Sequence, residues 1–147
     1  MLTWKRLSFK DFKIEELYDV LQLRSEVFVV EQDCIYQDID FKDQKALHIL
    51  GYKNEKLIAY TRIFKAGDYF KEASIGRVLV KEEERKYGYG HDLMTESIAA
   101  ISDKFSTSTI HISAQSYLEK FYNSHGFIKS GEGYLEDGIP HIKMIAN

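Results

Sequence analysis

From Ile75 to Val80 the chain is an extended apolar run, and near His91 a helix-like run begins; between them lies Arg85-Lys86-Tyr87-Gly88-Tyr89-Gly90. A strand that turns through glycines into a helix leaves the helix's first backbone N–H groups without intrahelical partners, at the end where the helix dipole is positive. Such a junction binds anions, phosphates above all. Gly88 and Gly90 give the backbone freedom and leave out the side chains that would keep a pyrophosphate away from the main chain, and Arg85 and Lys86 add positive charge. The spacing is not that of a Walker loop, since Gly90 is followed by His91-Asp92. A Rossmann fingerprint would need a third glycine where Leu93 stands.

The periodicity around this junction sets the remaining elements. Leu2 to Leu7 reads as a first strand, and Ile14, Leu17, Tyr18, Leu21 and Phe28 recur at helical spacing along a segment ending near Gln32. Ala46 to Tyr52 and Leu57 to Phe64 form a hairpin across Lys53-Asn54-Glu55-Lys56, and Ala73 to Val80 is a further strand. Leu93, Met94, Ile98, Ile101 and Phe105 mark the apolar face of the helix after the glycine junction. Ile110 to Ala114 is a strand, and Tyr117, Leu118, Phe121 and Tyr122 mark a short helix ended at Gly126-Phe127. Phe127 to Glu132 and His141 to Ile145 close the sheet. The expectation is one domain over 1–147, of mixed α/β layers with strands dominating the middle.

Charge and cysteine content exclude several classes. A formal net charge of −3, from 20 basic and 23 acidic residues, argues against a nucleic-acid binder that works through a broad basic field. Cys34 is the single cysteine, so no internal disulfide or cysteine-built zinc site is expected, and a reducing, cytoplasmic setting is the natural home. No apolar run approaches the roughly 18 to 20 residues of a membrane span, and the first residues do not read as a signal peptide.

Element order, R-x-x-G-x-G after the fourth strand, and Phe121-Tyr122-Asn123-Ser124-His125-Gly126-Phe127 together resemble the GNAT superfamily of N-acetyltransferases. More narrowly, Leu23 to Gln32, Ile75-Gly76-Arg77-Val78, Ser113-Ala114-Gln115 and Glu136-Asp137-Gly138-Ile139-Pro140-His141 resemble its ElaA-like family. The resemblance implies a central, mostly antiparallel sheet of six to seven strands flanked by helices, and acetyl transfer from acetyl-CoA to a small-molecule or peptide amine, without a metal. It implies that the cofactor's pyrophosphate lies on Arg85, Lys86, Tyr87, Gly88, Tyr89 and Gly90, that its pantetheine arm bonds to the backbone of Val78, Leu79 and Val80, and that Gln115 contacts that arm. It also implies that Tyr122 stands near the cofactor sulfur as general acid. A homodimer is compatible with it, as is a non-catalytic acyl-CoA sensor or a protein-interaction module.

The general base is not marked by a motif. Several relatives carry a glutamate on the fourth strand, where this chain has Ala73, Ser74 and Ile75. The expected base is His141, beside a turn stiffened by Pro140, because imidazole titrates near neutrality; other carboxylates, His48 or a water relay stay open. Glu136 and Asp137 would attract an ammonium acceptor. Arg62 and Arg77, in adjacent β-like runs, need acidic partners, which Glu31, Asp38 or Asp40 can supply. They read either as a structural pair or, with Glu31 and Asp38, as an acceptor-side site. Cys34 reads as a loop residue.

Overall fold

The computed structural model describes residues 1–147 and carries one eight-stranded sheet with helices on both faces. Strand β1 (Thr3–Ser8) is followed by helix α1 (Ile14–Arg24), which continues as a π-helical segment, Ser25–Glu31. Strands β2 (Leu47–Lys53), β3 (Lys56–Phe64) and β4 (Ala73–Val80) come next, then a 3-10 turn, Glu82–Tyr87, and helix α2 (Tyr89–Phe105). Strand β5 (Ile110–Gln115), helix α3 (Glu119–Asn123) and strands β6 (Ile128–Lys129), β7 (Tyr134–Glu136) and β8 (Ile139–Ala146) complete the chain. The strand order is β1-β2-β3-β4-β5-β8-β6, with β7 paired to β8.

All neighbouring strands are antiparallel except β4 and β5, which run parallel and pair only Ala73 with Ile110 and Ser74 with His111. Beyond Ser74 the two strands part, and the far half of β4 keeps a free edge on that side. The alternation of β-strand side chains gives each face its own core. On one face, Ile49, Ile58 and Ile75 pack with Leu93, Met94 and Ile101 of α2 and with Tyr122 and Phe127. On the other, Leu50, Tyr60 and Leu79 pack with Val20, Leu23 and Val27 of α1 and its continuation.

Three expectations need correction. The buried stripe of α1 is Val20, Leu23, Arg24 and Val27, whereas Ile14 and Tyr18 are 85 % and 73 % exposed. Two stripes at helical spacing compete on this segment, and Leu50, Tyr60 and Leu79 select the one they can bury. The C-terminal region holds three strands rather than two, making eight in the sheet, because Asp137 and Gly138 both take positive φ (51° and 76°) and close a two-residue hairpin between β7 and β8. Pro140 therefore lies in a strand opposite Leu135, and the turn beside His141 is Asp137-Gly138. The earlier hairpin has the expected form, with Asn54 and Glu55 at φ 49° and 67°.

Candidate active site

The gap between β4 and β5 opens into the main cleft, whose wall includes Phe28, Gln32, Tyr36, Ser113, Leu118 and Ile139 besides five residues singled out from the sequence: Arg77, Val78, Gln115, Tyr122 and His141. Glu136 and Asp137 sit at its rim from the β7–β8 hairpin. Ser113 and Gln115 share one face of β5, so alternation along that strand was the signal that could have found Ser113.

A bulge shapes the cleft side of β4. Tyr60 pairs with Leu79 and Arg62 with Gly76, so Arg77 and Val78 together oppose Thr61. Arg77 takes φ 52°, a left-handed conformation unusual for a side chain of its size. The bulge interrupts the regular edge just where β5 has turned away. It leaves backbone groups from Arg77 to Val80 facing the gap, and Val80's carbonyl accepts a 2.9 Å bond from Arg85 Nε. Val78 and Val80 lie on the α2 side of the sheet, while Leu79 is core on the α1 side. The free edge suits an extended chain bearing amides, which can bond to it like an added strand.

At the end of β4 the 3-10 turn carries Arg85 and Lys86 to Gly88, which takes φ 75° and directly precedes α2. No side chain caps this helix. Any residue with a Cβ would be strained at Gly88, whereas a Cβ on Gly90 would touch only the Phe121 ring at 3.5 Å. Tyr89 is core, while Tyr87 is exposed under Lys53, whose Nζ is 4.3 Å from its ring centroid. Arg85 is held bidentate by Glu31, with Nη2 donating to Oε1 at 2.8 Å. Glu31 thus stands beside the glycine junction, paired with Arg85 rather than with Arg62 or Arg77. An uncapped helix start, a left-handed glycine and two basic residues fit a diphosphate.

Tyr122 is 5 % exposed at the base of the cleft. Burial raises its hydroxyl well above the usual phenol range, with Tyr117 adding to the shift and no hydrogen bond sharing in it, so the group keeps its proton at neutral pH. His141 Nδ1 is 2.7 Å from the Ile139 carbonyl, which can only accept. The proton of a neutral ring is therefore on Nδ1, and Nε2 presents a lone pair 3.5 Å from Glu136 Oε2. Glu136 Oε1 accepts from Ser113 Oγ at 3.0 Å, and Ser113 also bonds to the Tyr134 hydroxyl. Gln115 Nε2 reaches Gln32 Oε1 at 3.5 Å, and Cys34 donates to the Asp137 carbonyl, tying the loop after α1 to the hairpin.

That loop is anchored by a closed ring of alternating charge. Arg24 Nε meets Asp38 at 3.0 Å, Arg77 Nε lies 2.8 Å from the same carboxylate, and Arg77 Nη2 is 3.5 Å from Asp40. Arg62 bonds Asp40 at 2.6 Å and Asp43 at 2.9 Å, and Asp43 returns to Arg24 at 2.7 Å. Burial alone would raise Asp40 and Asp43, but the arginines outweigh it and hold both below the ordinary carboxylate range. Asp38 and Arg62 are buried within this ring rather than presented to solvent, while Arg77 also borders the cleft. His48, another candidate base, is fully buried, between the Tyr60 hydroxyl at 2.6 Å and the Asp43 carbonyl at 2.9 Å. No group of three or more His, Cys, Asp or Glu side chains is placed to hold a metal ion, and no helix is long and apolar enough to cross a membrane.

Residues 10–147 match the family model of an acetyltransferase (GNAT) domain. The chain is 44 % identical to protein ElaA of Escherichia coli K12 over 98 % of its own length and 95 % of that protein's. A crystal structure of E. coli ElaA superposes over the whole of both chains with a TM-score of 0.93 and 42 % identity. An acyl-CoA N-acyltransferase from Pseudomonas aeruginosa does so with a TM-score of 0.94 and 37 % identity.

Proposed function

The chain belongs to the GNAT acetyltransferase family and resembles ElaA within it, and on that premise we propose that it moves an acetyl group from acetyl-CoA to a primary amine by direct attack, with both substrates bound together. The family's chemistry is acyl transfer from a CoA-linked donor. Acetyl as the group moved, and a ternary complex, are the finer reading. The single observation that carries it is the parting of β4 from β5, which leaves the edge of β4 unpaired, from a cleft containing both Tyr122 and His141 onward along the strand that leads to the uncapped start of α2.

When bound, acetyl-CoA would supply an activated thioester. The backbone of Val78, Leu79 and Val80 would hold its extended arm, with Gln115 at the opposite wall. Arg85, Lys86 and the main chain of Tyr87, Gly88, Tyr89 and Gly90 would hold its diphosphate. Tyr122 holds a phenolic proton that burial keeps in place, available to a departing thiolate. Nε2 of His141 accepts the proton that an ammonium acceptor must lose, and the Glu136 carboxylate 3.5 Å away stabilises the imidazolium that results. Glu136 and Asp137 draw a cationic amine to the mouth of the cleft.

The test is thiol release from acetyl-CoA across a panel of amines, with kcat/KM followed against pH. The wild-type profile is expected to have an ascending limb, and His141→Asn to remove that limb together with most of the rate. A folded His141→Asn protein with the same limb assigns the base to another group.

A further inference from the structure

Gly76 stands in the middle of β4, where glycine weakens a strand, directly before the bulge at Arg77 and Val78, yet neither its own φ nor its neighbours demand a missing side chain. Its φ is not in the left-handed region, and a Cβ built on it would meet nothing within 4 Å. The space in front of it is a small cavity of about 50 Å³, several times the ~10–15 Å³ that one water needs. Phe64, Tyr69 and Phe70 wall it, and it meets the main cleft at Gly76, Arg77 and Glu136. The register accounts for its position. Gly76 pairs with Arg62 and Ser74 with Phe64, so these four residues share one face of the sheet, and the missing side chain leaves a hole among the other three.

The polar groups of this cavity are incompletely paired. Arg62 is 1 % exposed and Ser74 2 %, yet Arg62 Nε and Ser74 Oγ have no hydrogen-bond partner. The third buried atom of this kind in the molecule, Arg77 Nε, belongs to the same lining; it lies 2.8 Å from Asp38 Oδ1 but out of line for a hydrogen bond. A guanidinium N–H can only donate and a serine hydroxyl can donate, so the unmet need is for an acceptor. Charge narrows the class. Arg24, Arg62 and Arg77 are matched by Asp38, Asp40 and Asp43 around the ring, which leaves no surplus positive charge for a carboxylate, and Glu136 at the junction would repel one. A second ammonium would face Arg62 and Arg77, and an apolar group would leave the buried donors unmet.

We propose that this cavity is the recognition subsite for the amine acceptor and takes an uncharged oxygen, a hydroxyl or an amide carbonyl, at the acceptor's far end. The inference rests on the amine acyl-transfer reading above and names the acceptor's class: an amino alcohol or amino amide, with its nitrogen in the main cleft beside Glu136 and His141. It also gives Gly76 and Ser74 the role of setting specificity.

The experiment compares ethanolamine and glycinamide with propylamine, glycine and ethylenediamine, by thiol release from acetyl-CoA in wild type, Ser74→Ala and Gly76→Ala. The two amines that carry an uncharged oxygen group are expected to exceed the other three in kcat/KM by about tenfold or more, as a site built to hydrogen-bond its substrate discriminates. Ser74→Ala should shrink the ratio of ethanolamine to propylamine by about fivefold or more, and Gly76→Ala, which puts a methyl group into the cavity, should abolish it. A wild-type ranking led by propylamine, glycine or ethylenediamine overturns the subsite. So does a ranking indifferent to both substitutions in folded proteins, in which case the cavity holds only water. Titration of ethanolamine and propylamine into the CoA-saturated protein, followed by NMR, reads binding without turnover. If no amine releases thiol but ethanolamine binds preferentially and loses that preference in Gly76→Ala, the acyl-transfer reading fails and the subsite stands. If no preference is seen in the titration, the subsite fails whatever the turnover.

Discussion

Tyr122 sits in an environment that suits a phenol to one task. A hydroxyl whose proton is held more tightly by burial is a weaker acid in the ground state, but on the proposed mechanism a developing thiolate beside it would be basic enough to take that proton. Tyr122→Phe keeps the ring in its edge-on contacts with Phe121 and Phe127, whose centroids are 5.1 and 6.1 Å away, so the packing survives and only the donor is lost. Turnover should fall by roughly 10- to 1000-fold with acetyl-CoA affinity little changed, measured by steady-state kinetics beside calorimetry. Wild-type turnover in the variant would make Tyr122 a packing residue. This tyrosine could be singled out because it lies in a motif. Arg24 could not be, since an arginine in the last turn of a helix ordinarily faces solvent and complements the helix dipole, and nothing local signals that it is fully buried.

The ring that Arg24 closes acts on the scale of elements. It fastens α1, β3 and β4 to the loop at 38–43, and through that loop it sets the roof of the cleft, where Tyr36 bonds to Asp38 at 2.9 Å and lies under Arg77. Asp43 bridges Arg24 and Arg62, the two most buried arginines of the ring. Asp43→Ala leaves two buried guanidinium groups short of a counter-ion and should cost about 3 to 5 kcal/mol in urea denaturation, in line with the loss of one partner from a buried ion pair. A loss below about 1 kcal/mol would mean that the ring is dispensable. Arg62 and Arg77 were legible as charges in need of acidic partners because β-branched and apolar neighbours surround them. A closed circuit was not legible, since closure depends on how a loop folds over two strands. The β7–β8 hairpin, by contrast, was legible locally: Pro140 suggests a stiff turn, but Asp137-Gly138, a strong hairpin pair, is the better signal.

For the whole molecule, the buried imidazole makes stability depend on acid. His48 is held down to about 4 by burial, against an ordinary 6.5, with the Asp43 contact opposing only part of the shift. As pH falls through 6.5 the unfolded chain takes up this proton and the folded one does not, so stability is full above 6.5 and drains away down to about 4. The loss is on the order of 3 kcal/mol for this residue. Asp40 and Asp43, held low in the fold, extend the decline further into acid. Denaturation midpoints between pH 7 and 4 check this, and His48→Gln should flatten the slope in that window; an equal slope in the variant would place its origin elsewhere. The layered fold itself was largely legible, since strand and helix periods and the glycine junction fix the order of elements. The parting of β4 from β5 was not, because it depends on long-range pairing that local pattern does not encode. That parting has a further consequence, for cooperativity. Strands β1 to β4 form a meander of neighbours in chain order, whereas β5, β8 and β6 must be brought in across α2, and only two residue pairs join the halves through the sheet. Native-state hydrogen exchange should therefore resolve two units of different protection, the meander opening last, and a strand-like ligand seated in the gap would fuse them into one.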